Sequence, residues 1–248
     1  MSAIPNPIVN NVRTVSDTKR AFYNIHTRPI NSIYRRIVEE LMVEMHLLAV
    51  NVDFRYDPLY ALGVVTSFDR FMQGYRPEQD KASIFEGLCQ ALQDDPYRYR
   101  ADADRLRSMA NSKSAQDLLA WFEQAAAAPM DDLQGAIHAS VSNANYKYSR
   151  LGAVGLFTLL ELVDPELVKD EAQREAALKQ ASTALKLPED KVQKDLELYR
   201  GNLDKLAQAQ AVMEDILKAD RKKREQQANA ANQATPSEAP KDEAPSGS

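Results

Sequence analysis

Three histidines (His26, His46 and His138), one cysteine (Cys89) and several paired carboxylates are the side chains of this 248-residue chain able to bind metal or move protons. Their spacing decides which chemistry is open to them. A di-iron bundle takes its ligands from Glu-x-x-His pairs on inward helix faces. The residues three before the histidines are Tyr23, Val43 and Gly135, so that motif is absent. Glu40 and Glu44 share a helix face without a neighbouring histidine and read as surface or salt-bridged carboxylates. An Asp-Asp-x-x-Asp magnesium cluster fails at its last position, where Arg98 follows Asp94-Asp95 and Gly135 follows Asp131-Asp132. Both acidic pairs fit helix termini instead. With only eight glycines, the chain holds no phosphate loop, nucleophile elbow or dinucleotide fingerprint. Cys89 falls on an apolar helix face and reads as a small buried hydrophobe. No catalytic residue, metal or cofactor is expected.

Composition narrows the remaining classes. Abundant Ala, Leu, Gln, Glu, Lys and Arg beside so few glycines lean towards helix. A net charge of -5 argues against a surface built to coat nucleic acid. The lone cysteine forbids an internal disulfide and suits a reducing compartment. The longest apolar run, Leu151 to Leu160, is ten residues with two glycines, half of what a spanning helix needs. Residues 1–15 carry no secretory pattern and read as a flexible arm.

The positioning elements follow from caps and periodicity. Asp57-Pro58 pairs a capping carboxylate with a residue whose missing N–H is harmless in the first turn. From there Ala61, Val64, Val65, Phe68, Met72 and Tyr75 fall on one helix face. Thr66, Arg70 and Gln73 point away. Before it, Ser16 or Asp17 caps a short helix, and Asn31 or Ser32 caps one running to about residue 51. That second helix carries Tyr34, Val38, Leu41, Met45 and Leu48 on one side and Val43, Leu47 and Val50 on the other. Being apolar nearly all round, it is expected at the centre of a bundle. His46 lies opposite Leu41, and Arg35 and Arg36 extend the same polar edge.

Pro77 opens a further element bearing Ile84, Phe85, Leu88 and Cys89, and helices follow at about 97–110, 113–128 and 131–144. A helix through Leu151 to Leu162 is nearly all apolar. Its Ser149, Gly152 and Ala153 offer a small-residue patch for close approach. Arg150 suits an internal partner of Glu161 or Asp69. Pro165 opens another helix to about Leu187. From residue 188 to 227, Val192, Leu196, Tyr199, Leu203, Leu206, Met213 and Leu217 keep a 4-3 spacing broken at Gln210. The fold class is all-α: a helical bundle over 16–187 with a long C-terminal helix or coiled-coil arm over 188–227. Residues 228–248 read as a disordered tail.

Three stretches together resemble the thylakoid formation protein family, the photosystem II biogenesis factors of cyanobacteria and plastids. They are Val15 to Tyr23 with His26-Thr27-Arg28-Pro29, Tyr56 to Gly63 with Phe68 to Tyr75, and Tyr146 to Arg150 with Gly155-Leu156 and Leu159-Leu160-Glu161. The resemblance covers about residues 12–220 and implies an all-helical, non-enzymatic protein associated peripherally with thylakoid membranes. It further implies a role in photosystem II biogenesis and repair, through binding and stabilising FtsH-type protease complexes. Photosystem II assembly intermediates are a further implied partner, and nucleic acid is not one. Without a transit-type leader, the expected setting is the cytoplasmic side of a cyanobacterial thylakoid. The family brings no catalytic motif. The candidate partner-facing residues are therefore Arg35, Arg36, His46 and Arg70. A self-associating structural protein, joined through the long helix, is the alternative.

Overall fold

The computed structural model describes residues 13–233, and among them eleven helices and no strand are found. They are α1 (Val15–Ile25), α2 (Ser32–Ala49), α3 (Pro58–Phe71), α4 (Asp80–Ala91), α5 (Pro96–Ala110), α6 (Ala115–Ala127), α7 (Asp132–Val141), α8 (Arg150–Val163), α9 (Pro165–Lys169), α10 (Glu171–Ala184) and α11 (Glu189–Gln233). Residues 1–12 of the expected arm and 234–248 of the expected tail lie outside the described residues.

One chemical rule starts most of these helices. An acidic or hydroxyl side chain accepts from a first-turn N–H that has no helical carbonyl to bond. Asp57 accepts from the Tyr60 N–H at 2.9 Å, with Pro58 behind it. Asp95-Pro96 and Asp164-Pro165 repeat the pair at α5 and α9. At α1 the expected cap shifts: Thr14 is the N-cap, and Asp17 completes a capping box with it. Where one helix was expected from Pro165 to Leu187, two are found. Asp170 leaves helical geometry after α9 and caps α10 by accepting from the Gln173 N–H.

The chain divides into two units, Met1–Leu203 and Asp204–Ser248. Within the first, α3 is the central helix, lying against α8 on one side and α5 on another. Every residue from Pro58 to Phe68 is buried, including Thr66, whose expected outward face is covered by Arg107 of α5. Thr158 of α8 is likewise buried, its hydroxyl donating to the Val154 carbonyl at 2.7 Å. Leu62, Phe68, Leu156 and Leu159 therefore sit in a shared interior, each stabilising by about 2 kcal/mol through removal from water. The start of α11 adds Val192, Leu196 and Tyr199 to the same core.

The central place expected for α2 is corrected. It packs mainly on α1 and α3, at the edge of the unit, and meets the start of α8 through Glu44 and Arg150. Arg35, Arg36, Glu39, Glu40 and Glu44 along its outer side require water or ion partners, and that requirement keeps the side open. Leu47 on this side is 57% exposed and Val50 is 38% exposed.

In the second unit α11 continues to Gln233, so residues 228–233, expected in the tail, are helical. Val212, Met213 and Ile216 are exposed along it, among i,i+4 ion pairs such as Glu214–Lys218. The Leu217 side chain lies outside the described residues.

Candidate functional site

The outer side of α2 forms the floor of an open groove of about 1150 Å³. Lys19 of α1 stands at one edge. The opposite wall is made by Lys147, Tyr148, Ser149 and Arg150 before and at the start of α8, with Lys191 and Asp195 of α11. Local sequence places each wall. Ser149 caps α8 by accepting from the Gly152 N–H at 3.2 Å, which fixes where Arg150 leaves the backbone. Tyr148 donates its hydroxyl to Asp195 at 2.9 Å, tying the α8 entry to α11. The Lys191 ammonium lies 4.8 Å from the centre of the Tyr148 ring.

Charge in the groove is unevenly satisfied. Glu39 accepts from Lys19 at 2.8 Å and from the Tyr23 hydroxyl at 2.8 Å, and these bonds hold its carboxyl below the usual range. Burial, reinforced by Glu39, pushes the Tyr23 phenol up to about 12. Glu40 pairs with Arg36 at 2.9 Å, one turn apart. Glu44 accepts from both Nε and Nη2 of Arg150, a bidentate pair that raises the arginine's already high pKa. Arg35, Lys147 and Lys191 are exposed and pair with no carboxylate among the described residues. Tyr148 is raised by burial first and by Asp195 second.

The sequence-based candidates separate accordingly. Arg35 and Arg36 stand on the groove as expected of an exposed edge. His46 does not: it is 3% exposed, with Nδ1 2.9 Å from the Thr18 hydroxyl, pinning α2 to α1. Its place on the last turn of α2 turns it inward, and burial lowers its pKa. Arg70 is also an internal strut, paired with Glu161 of α8 beside Tyr199 of α11. Arg150, expected to meet Glu161 or Asp69, meets Glu44 instead. Asp69 pairs with Arg100 at 2.9 Å.

Leu47, Lys147, Tyr148, Lys191 and Asp195 were missed as site residues because they come from three distant segments. The one available signal was the second apolar stripe of α2, Val43-Leu47-Val50, which a fully buried helix would also show.

The remaining polar clusters are structural. His26 Nδ1 lies 2.6 Å from the Ser83 hydroxyl, but its Nε2 is buried without a partner, so no third group orients the ring as a general base. Asp80 nearby is held by Arg28 at 2.8 Å. Among the described residues, no three of His, Cys, Asp and Glu gather as metal ligands. No described helix is long and apolar enough to cross a membrane.

Comparison with known proteins follows this geometry. The family model described as thylakoid formation protein matches residues 14–228. Protein Thf1 of Trichormus variabilis is 65% identical over 216 residues, spanning 87% of this chain and 93% of that one. Protein Thf1 of Nostoc punctiforme is 62% identical over 219 residues, spanning 88% and 93%. The solved structure of Psb29 superposes with a TM-score of 0.75 at 47% identity, over 86% of this chain and 98% of that one.

Proposed function

The chain belongs to the thylakoid formation protein family, and from that membership we propose that it is a non-enzymatic photosystem II biogenesis and repair factor. In this reading it works at the thylakoid surface, on the cytoplasmic side, as an adaptor that binds and stabilises FtsH-type protease complexes. The observation that carries the reading is the groove on α2, where Leu47 and the cations Arg35, Lys147 and Lys191, which lack a close carboxylate, are exposed. The interior offers a ligand little: the small cavity beside Asp57 has about 10 Å³, room for one water. Such a body works through its exterior.

Stabilisation by an adaptor is mass action. A partner bound at about 100 times its Kd gains about 2.7 kcal/mol for its assembled state. The adaptor thus raises the abundance of an assembled protease without performing chemistry on it. Deleting the gene in a cyanobacterium tests this. The expected result is a fall in protease protein at unchanged transcript, with slowed recovery from strong light. Normal protease levels and normal recovery would contradict it. Photosystem II assembly intermediates are a further partner class, to be sought in the same affinity fractions.

A second reading, self-association of a structural protein, is favoured by Val212, Met213 and Ile216, exposed on α11. Sedimentation over a concentration series separates the two readings.

A further inference from the structure

We infer that the α2 groove is a docking site for an acidic amphipathic helix of a protein partner. The floor presents Val43 and Leu47 one turn apart, with Val50 continuing the stripe just beyond the helix end. Such an i, i+4, i+7 stripe repeats at about the 5.4 Å pitch of a second helix, the spacing used when helices lie in grooves. No strand edge is offered among the described residues, so addition of an extended peptide to a sheet is not available.

Charge selects the sign of the partner. Six cationic and four anionic residues line the groove, although the chain as a whole carries -5. Three of the four acids already have close cations: Glu39 has Lys19, Glu40 has Arg36 and Glu44 has Arg150. The fourth, Asp195, accepts from Tyr148. Because the Tyr148 hydroxyl is neutral, Asp195 keeps its charge, and the groove as a whole has a surplus of two cations, with Arg35 near one end of the floor and Lys147 and Lys191 on the facing wall lacking a close carboxylate. Asp or Glu residues flanking the apolar stripe of an incoming helix would reach them from either side. A flat bilayer fits less well, because the apolar floor is recessed between walls.

This inference rests on the adaptor reading for its biological partner but not for its chemistry. The probe is a synthetic helical peptide of the length of α2, with Leu at i, i+4 and i+7 flanked by Glu. A matched peptide carries Lys in place of Glu. The full-length chain should bind the Glu peptide at least about tenfold more tightly than the Lys peptide. Leu47→Glu, or Lys147→Glu with Lys191→Glu, should each weaken it by about tenfold, whereas Tyr97→Glu, exposed in a cleft of α4 and α5, should not. All these positions are exposed, and unchanged far-UV circular dichroism confirms that each variant is folded.

Equal binding of the two peptides overturns the inference, as does binding indifferent to Leu47→Glu. Two other occupants would also overturn it. One is a phosphatidylglycerol vesicle whose binding, and not the peptide's, is lost in the groove variants. The other is a second copy of the chain, revealed by Leu47→Glu converting a dimer to a monomer that binds no peptide. Purification from thylakoids separates this inference from the adaptor reading. Protease retained equally by wild type and Leu47→Glu leaves the adaptor standing and overturns the groove as its site. No protease on wild type, with peptide discrimination intact, removes the adaptor and supports the groove.

Discussion

Gly63 of α3 and Gly155 of α8 face each other at the point where the two central helices touch backbone to backbone. A Cβ on Gly63 would stand 1.6 Å from the Leu151 carbonyl oxygen, and one on Gly155 would stand 2.0 Å from that of Leu59. The small-residue approach expected at Ser149, Gly152 and Ala153 is therefore one turn further along. A Cβ on Gly152 meets nothing nearer than Ser149, at 3.7 Å. This crossing brings α8 against α3, and so fixes where Arg150 and Tyr148 stand above α2.

Gly63→Ala and Gly155→Ala should each destabilise by about 3 kcal/mol or more, since the clash is with backbone that no rotamer change relieves. Gly201→Ala and Gly135→Ala, with nothing within 4 Å of the new Cβ, should stabilise by about 0.5–1 kcal/mol. Urea unfolding measures all four. Similar losses at all four sites would show that the contact is not special.

Asp57 should make the chain less stable as pH rises through the acid range. Its carboxyl is buried, which raises its pKa from 3.8 to about 6 against the opposing pull of the Tyr60 N–H. The folded state thus keeps a proton that the unfolded chain has released. Stability from this group is lost between about pH 4 and pH 6 and stays lost above, to roughly 3 kcal/mol. Asn caps a helix about as well as Asp. Asp57→Asn should therefore gain on wild type across that window, and parallel pH profiles would contradict the assignment.

Arg70 and Arg35 should differ in how far the same change destabilises the chain. Arg70→Glu sets two half-buried carboxylates face to face with Glu161 and should cost about 1–2 kcal/mol after allowing for partial exposure. Arg35→Glu on the exposed groove should stay within about 0.5 kcal/mol of wild type. Thermal unfolding at two salt concentrations checks both, the Arg70 effect shrinking as salt screens the pair.

Cys89 should be silent to thiol reagents. It is fully buried and its thiol is pushed up to about 12, chiefly by burial. Alkylation by iodoacetamide at pH 8 should proceed only in denaturant. Rapid labelling of native protein would show that α4 opens locally.

Much of this architecture was legible from local chemistry. Asp57-Pro58 and Asp164-Pro165 mark helix starts because capping is settled within a few residues. The all-α class followed from composition, and α3 was recognisable as a core helix from its stripe. What local pattern does not carry is which of two apolar helices lies at the centre. α2 and α3 both read as buried, and the choice fell to Gly63 meeting Gly155, a relation between residues far apart in sequence. The candidate site failed for the same reason. Arg70 and His46 project as polar on their own helices, but Glu161 and Thr18, on other helices, turn them inward. Lys147 and Lys191 become neighbours only after the bundle closes.

The most direct test is binding between the purified full-length chain and a detergent-solubilised FtsH-type complex from cyanobacterial thylakoids. Saturable association that weakens with salt and is lost in the Leu47→Glu variant is the expected result. No association at any salt concentration, or association that survives Leu47→Glu intact, would contradict an adaptor acting through the α2 groove.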